Sequence, residues 1–363
     1  MTNSYQNISS YWLDTDEYHT AGEPFRIVPK LPEHCLTNGN TVMERRMNIV
    51  KQKDHPLDVL RRGLCHEPNG HPDMYGGFIV PPNDDKAHFG CLFFHKDGFS
   101  TACGHGTIAL GAWAINKGLV DSPENGPVDV VIDVPSGRVI AQVHKKDNRI
   151  EKIDFLNVPS YQVSKDIKIK VESLGNKELT LDTSWGGALY AYLDINQIDK
   201  DLKVEPSKHD FYINLGREIK SILLERSTGE GYHQELELYG VAFYEELPSQ
   251  DDEKTTTIVH RNVVIFADGE LDRSPTGSSS AAITSLLYSK GKLQKDQKLI
   301  NHSILNTTFE CNIENVIIDE KTEDKNNGFP SCIVRVSGLA HLLGKHSYYI
   351  DSKDPVYPGF VFR

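Results

Sequence analysis

Positive charge is scarce in this sequence: 39 Lys and Arg stand against 51 Asp and Glu, a formal net charge of −12. Nucleic acids and anionic membranes are gripped by basic patches, so neither is expected as a partner. Long apolar runs are missing too. No stretch approaches the roughly 20 apolar residues of a membrane helix, and 38% apolar content with a mean hydropathy of −0.43 reads as a soluble globular protein. The opening "MTNSYQNISSYWLD" has neither a basic start nor an apolar stretch, so no signal peptide is expected. Cysteine is sparse and scattered. Cys35, Cys65, Cys91, Cys103, Cys311 and Cys332 form no CxxC pair and no zinc-type spacing. A disulfide framework is therefore not expected, the expected compartment is the cytoplasm, and the sequons at Asn7, Asn301 and Asn306 read as chance. The histidines show no metal-ligand pattern, and phosphate loops and dinucleotide fingerprints are lacking. Neither a metal nor a cofactor is indicated.

What is present is mostly strand, with a few helices. A chain of 363 residues suits about two domains. Alternating, β-branched runs include "VDVVIDVP", "RVIAQVH", "KIDFLNV", "GALYAYLDI", "LELYGVAFY", "RNVVIFAD" and "SCIVRVSG". Helical patterning marks "TVMERRMNIVKQK", "LDVLRRGL" and "NLGREIKSILLERS", while "SQDDEKTTT" and "DEKTEDKNNG" read as surface loops. The boundary between two α+β lobes is expected near "NVPSYQVSKD", with "YYIDSKDPVYPGFVFR" pairing back onto the first lobe.

Two further helical segments match each other. "TACGHGTIALGAWAINKG" from Thr101 lies over "SPTGSSSAAITSLLYSKG" from Ser274 without a gap, at an offset of 276 − 103 = 173. Gly104 falls on Gly277, Ala109 on Ala282, Lys117 on Lys290 and Gly118 on Gly291; the same offset carries Phe93 onto Phe266. Each segment has a glycine after a special residue, an apolar helix and a Lys-Gly end suited to a C-cap. A helix N-terminus offers free N–H groups and a positive dipole end to a carboxylate or phosphate. The same field lowers a thiol from ~8.5 towards neutrality. Cys103 is thereby a candidate thiolate base, and the other five cysteines read as small buried hydrophobes. A buried cysteine capping an ordinary helix is the plainer alternative for one motif alone. Two such helix mouths, brought together by facing lobes, would form a pocket for a small, flat molecule with one carboxylate.

"CGHGTIA" and "DGELDRSPTGSSSAA" resemble the two active-site signatures of the proline racemase family. The resemblance extends through "HTAGEPFRIV" at His19, "EPNGHPDMYGG" at Glu67, "NVPS" at Asn157, "WGGALYAYLD" at Trp185 and "DPVYPGF" at Asp354. It departs at Asn69, where many members have arginine, and at Thr276. The resemblance implies a diaminopimelate-epimerase-like α+β fold of two pseudo-symmetric lobes, each a mixed or antiparallel sheet around a central helix, with the active site in the cleft between them. The expected lobes are 1–165 with 348–363, carrying Cys103, and 166–347, carrying Asp272 and Thr276. Racemases and epimerases of the family flank the substrate α-carbon with two cysteines. Here the second is Thr276, whose hydroxyl is too weak an acid to serve as a base at neutral pH. A Cys/Thr pair resembles the trans-3-hydroxy-L-proline dehydratases of the family.

The stereochemistry fits that resemblance. In trans-3-hydroxy-L-proline the α-hydrogen and the hydroxyl share one ring face, so loss of water is a syn elimination needing acid–base chemistry on that face alone. By resemblance, the N–H groups of Gly104, His105, Gly277 and Ser278 hold the carboxylate. Asp272, with the His105 side chain, binds the ring nitrogen, and Phe93, Phe266 and Tyr75 line the ring pocket. Asp272 could instead be a turn or cap residue, His105 a packed loop histidine, and any of the aromatics ordinary core. His19, Glu23 and His71 read as structural. Three functions stay open: the dehydratase, a proline racemase or hydroxyproline 2-epimerase, and a non-catalytic imino-acid binder. Retention of Cys103, His105 and Asp272 weighs against the binder, and Thr276 against the racemase. The expected partner is a small imino acid. Oligomeric state is not legible, and a homodimer is carried as the expectation.

Overall fold

The computed structural model describes residues 9–227, 237–249, 257–317 and 328–362. The two charged loop segments fall largely outside them. Five α-helices are seen among the described residues: α1 Val42–Lys51, α2 Pro56–Cys65, α3 Gly104–Asn116, α4 His209–Ser227 and α5 Gly277–Ser289. Of the expected helices, α4 differs most in extent, beginning five residues before "NLGREIK". Local chemistry sets several of these starts. Thr41 accepts from the Glu44 N–H ahead of α1, and Pro56 opens α2, where a missing N–H costs nothing.

The chain forms two compact units, dividing after Ile153 and again after Gly338. Boundaries expected at 165/166 and 347/348 would cut through two strands. Ser160–Val171 pairs along Lys177–Trp185, so residues 160–165 go with the second unit. Ala340–Ile350 pairs with Tyr11–Thr20 over its whole length, so residues 340–347 go with the first.

In the first unit, Tyr11–Thr20 is antiparallel to both Ala340–Ile350 and Glu23–Val28. Glu23–Val28 then runs parallel to Tyr75–Val80, which turns back along Phe89–His95. A second parallel pairing joins Phe89–His95 to Gly126–Val134, and a hairpin adds Gly137–Lys146. Parallel neighbours require long crossovers. α1 and α2 make the first of these, and α3 makes the second.

The second unit repeats the pattern. Lys177–Trp185 is antiparallel to Leu189–Asp194, which runs parallel to Leu238–Leu247, with α4 as the crossover. Ile258–Phe266 returns antiparallel and then pairs in parallel with Lys298–His302, with α5 as the crossover. The ring closes through Thr308–Ile317 and Ser331–Gly338, which meets Ser160–Val171 at Cys332 and Ser331.

Both repeat helices are buried through eleven consecutive positions, Gly104–Ala114 and Gly277–Leu287. Such helices are apolar or small on every side, unlike an amphipathic surface helix. Gly111 shows why small residues are needed: a Cβ there would stand 2.7 Å from that of Ala141. Polar groups buried against these helices include Trp113 Nε1, bonded to Asp16 at 2.8 Å, and Ser184 Oγ, bonded to the Ala282 carbonyl at 2.9 Å.

Candidate active site

The two helices end alike. Past α3, Gly118 donates to Ile115 at 3.0 Å and Leu119 to Ala114 at 2.9 Å; past α5, Gly291 donates to Tyr288 and Lys292 to Leu287, both at 2.9 Å. Gly118 and Gly291 take φ of 67° and 69°, the left-handed conformation this C-cap requires. They begin differently.

At the mouth of α3, Cys103 is the N-cap in ordinary extended conformation, φ −153° and ψ 106°. Its Sγ accepts the Gly106 N–H at 3.2 Å, and the ring nitrogens of His105 lie 3.5 and 3.6 Å away. A side chain at position 106 would strike both the Phe25 ring and this sulfur. Phe25 and Tyr75 meet the His105 ring edge-on at 5.7 and 5.0 Å, and the Tyr75 hydroxyl bonds to Ser100 Oγ. Phe93 is fully buried, 6.1 Å from Phe25. Cys103 and His105 thus meet, with Tyr75 against the histidine and Phe93 one layer behind Phe25. The other thiols differ in kind. Burial pushes Cys35, Cys311 and Cys332 up to about 12, and Cys91 well above the usual thiol range.

At the mouth of α5, Thr276 is the N-cap residue but does not cap. Its φ of 60° and ψ of 98° lie where a β-branched residue is strained, at a cost of about 1–3 kcal/mol. The hydroxyl donates instead to Asp272 Oδ2 at 2.7 Å. Asp272 Oδ1 accepts the Ser274 N–H at 2.8 Å, and Ser274 Oγ accepts the Thr276 N–H at 3.0 Å. Asp272 therefore does serve as a turn residue, and the same carboxylate takes the Thr276 hydroxyl. Phe266 stacks on Tyr239 at 5.5 Å, and Tyr239 meets Tyr190 edge-on at 5.8 Å. The Tyr190 hydroxyl bonds to Ser278 Oγ at 2.7 Å, and that of Tyr192 to the Ser279 carbonyl at 2.8 Å.

Among the described residues, the N–H groups of Gly104, Gly277 and Ser278 have no protein acceptor. Donors of this kind at a helix start suit an anion. The mouth of α3 therefore offers a thiol with hydrogen-bond donors beside aromatic rings, and the mouth of α5 a buried carboxylate fixed by two donors; each has open backbone donors. Sequence reading overlooked Phe25, Ser274, Tyr190, Tyr192 and Tyr239. Tyr190 and Tyr192 were within reach, because residues two apart on a strand share a face. Phe25 and Tyr239 gave no local signal, since their roles depend on which strands become neighbours.

Comparison with known proteins agrees with this architecture. The family model described as proline racemase matches residues 16–361. A trans-3-hydroxy-L-proline dehydratase of Colwellia psychrerythraea is 37% identical, over 99% of this chain and 94% of its own. A 3-hydroxyproline 2-epimerase of Burkholderia multivorans is 36% identical, over 97% and 98%. Among solved structures, a hydroxyproline epimerase of Agrobacterium vitis with bound trans-4-OH-L-proline superposes with a TM-score of 0.82, at 22% identity, covering 96% of this chain and 95% of that one. The two-unit α+β fold is shared with that structure, and the chain belongs to the proline racemase family.

Proposed function

We propose that this protein is a hydro-lyase that dehydrates trans-3-hydroxy-L-proline. Cys103, as thiolate, takes the α-proton, and the electron pair left on Cα forms the C2=C3 bond as the C3–O bond breaks. Hydroxide leaves with a proton from the same ring face, as water. The enamine product tautomerises to Δ1-pyrroline-2-carboxylate. The Gly106 N–H and the His105 ring, both on Sγ, favour the thiolate. Backbone N–H groups of Gly104, His105, Gly277 and Ser278 hold the carboxylate and stabilise the enediolate that develops there. Asp272 receives the ring nitrogen. Tyr75, Phe93 and Phe266 supply apolar walls for the ring, with Phe93 acting through Phe25.

One observation carries the reading. The residue to which this reading gives the second catalytic position is a threonine whose hydroxyl donates to Asp272. That hydroxyl can neither act as a base near neutral pH nor deliver its proton without breaking the bond. Racemisation needs an acid and a base on opposite faces, whereas syn elimination needs one face only. The name of the 37% identical dehydratase supports the same conclusion.

Incubation with trans-3-hydroxy-L-proline and detection of the cyclic ketimine is the direct test. Pyrrole-2-carboxylate, flat like the intermediate, is expected to inhibit competitively and to protect Cys103 from iodoacetamide. Unchanged labelling at saturating analogue would put Cys103 outside the pocket. Production of D-proline from L-proline as fast as dehydration would replace the dehydratase by a racemase.

A further inference from the structure

The Pro275 carbonyl, one peptide before Thr276, accepts from three buried side chains: Ser280 Oγ at 2.9 Å, Asn262 Nδ2 at 3.1 Å and Asn301 Nδ2 at 3.4 Å. Asn301 Nδ2 also reaches Ser280 Oγ at 2.8 Å, so the three residues form one knot. They come from α5 and from the two strands, Ile258–Phe266 and Lys298–His302, that α5 connects. Burying three amides and hydroxyls to grip a single carbonyl is an uncommon use of core volume.

The repeat shows what the knot changes. At the same offset, Asn262 falls on Phe89, Pro275 on Ala102 and Ser280 on Thr107. Phe89 has no donor, and Thr107 Oγ1 goes to the Cys103 carbonyl at 2.8 Å, one residue further along. Among the described residues no side chain donates to the Ala102 carbonyl, and Cys103 takes extended backbone and puts its side chain on the third N–H of its helix. Threonine is itself a favoured N-cap. Left free, Thr276 would turn the same way and place its hydroxyl on the Ser279 N–H.

We propose that Asn262, Ser280 and Asn301 are positioning residues that stop Thr276 from capping its own helix. Held at positive φ by the pinned Pro275 carbonyl, Thr276 gives its hydroxyl to Asp272. Asp272 then keeps the donor that fixes it. None of the three residues touches the substrate. The functional part rests on the ring-nitrogen role proposed above for Asp272, whereas the conformational part does not.

Ser280→Ala deletes one hydroxyl of the knot, and Asn262→Ser provides a second, independent loosening should the first fail to fold. Crystal structures of the variants are expected to show Thr276 at negative φ with Oγ1 on the Ser279 N–H. With trans-3-hydroxy-L-proline, KM is expected to rise about tenfold with kcat little changed, and Kd for pyrrole-2-carboxylate to rise in parallel. Ser280→Thr is expected to act like Ser280→Ala, because the hydroxyl of Thr107, in the equivalent place, goes to the Cys103 carbonyl and not to the one before it. Thr276 remaining at its present φ in the folded variants would overturn the proposal, as would relaxation of Thr276 with KM and Kd unmoved. A wild-type protein that neither turns over the substrate nor binds the analogue, while its variants still relax Thr276, would sink the functional reading alone.

Discussion

Cys103 differs from its fellow cysteines by what its sulfur touches. All six are buried, yet burial alone drives a thiol towards its neutral form, as at Cys35, Cys91, Cys311 and Cys332. Cys103 adds a backbone donor and a histidine at the start of a thirteen-residue helix. Cys103→Ser is therefore expected to keep the fold and to lower turnover by more than about a hundredfold, because a hydroxyl there is too weakly acidic to ionise. Turnover assays together with binding of pyrrole-2-carboxylate separate lost chemistry from lost structure. A serine variant with even a tenth of the wild-type rate would remove Cys103 from the role of base. This much was legible from sequence, since helix start, glycine and cysteine are adjacent in "CGHGTIA". The bond from Thr276 to Asp272 was not. It depends on a positive φ that no propensity scale assigns to threonine.

At the scale of elements, the repeat of α3 and α5 could be read because their caps, small residues and Lys-Gly ends are local. Edges were harder. Ala340–Ile350 carries Leu342 and Leu343 exposed side by side, so its sequence does not alternate and gives no strand signal. The strand Ile258–Phe266 was legible, but the penalty it carries was not. His260 on that strand is 1% exposed and stacked on Tyr244 at 5.0 Å; burial, with Lys292 adding to it, pushes its pKa down to about 3. The folded pKa thus lies below the unfolded value near 6.5, so between these values the unfolded chain binds a proton that the folded protein refuses. Stability falls as pH drops through that window, by about 1.4 kcal/mol per pH unit from this one group. Denaturant midpoints between pH 7 and 4 are expected to fall more steeply for wild type than for His260→Phe, which keeps the stacked ring and loses the proton site. Equal slopes would assign the acid sensitivity elsewhere.

For the whole molecule, the resemblance supplied the two-unit α+β architecture, while the boundaries moved to Ile153 and Gly338 because strand pairing, not composition, decides which unit a segment joins. The sharpest test of the molecule's chemistry exchanges one residue between its two helix mouths. The proposed function gives position 276 the place taken by a second cysteine in racemases of the family. Thr276→Cys is then expected to create weak proline racemase or hydroxyproline epimerase activity. Cysteine and threonine are close in volume, and the unbranched side chain tolerates positive φ at least as well, so little stability should be lost. The swap also replaces the hydroxyl on Asp272 with a thiol, which is a weaker donor. Substrate binding should consequently weaken, raising KM for dehydration even as the new activity appears. α-Deuterium uptake from D2O into L-proline, with chiral separation of the product, reads the gain directly. The wild type is expected to make no D-proline and the variant some. A folded variant with intact dehydration but no exchange into D-proline would mean that residue 276 does not stand at the second face of the substrate, and Thr276 would then keep only its role as the donor to Asp272.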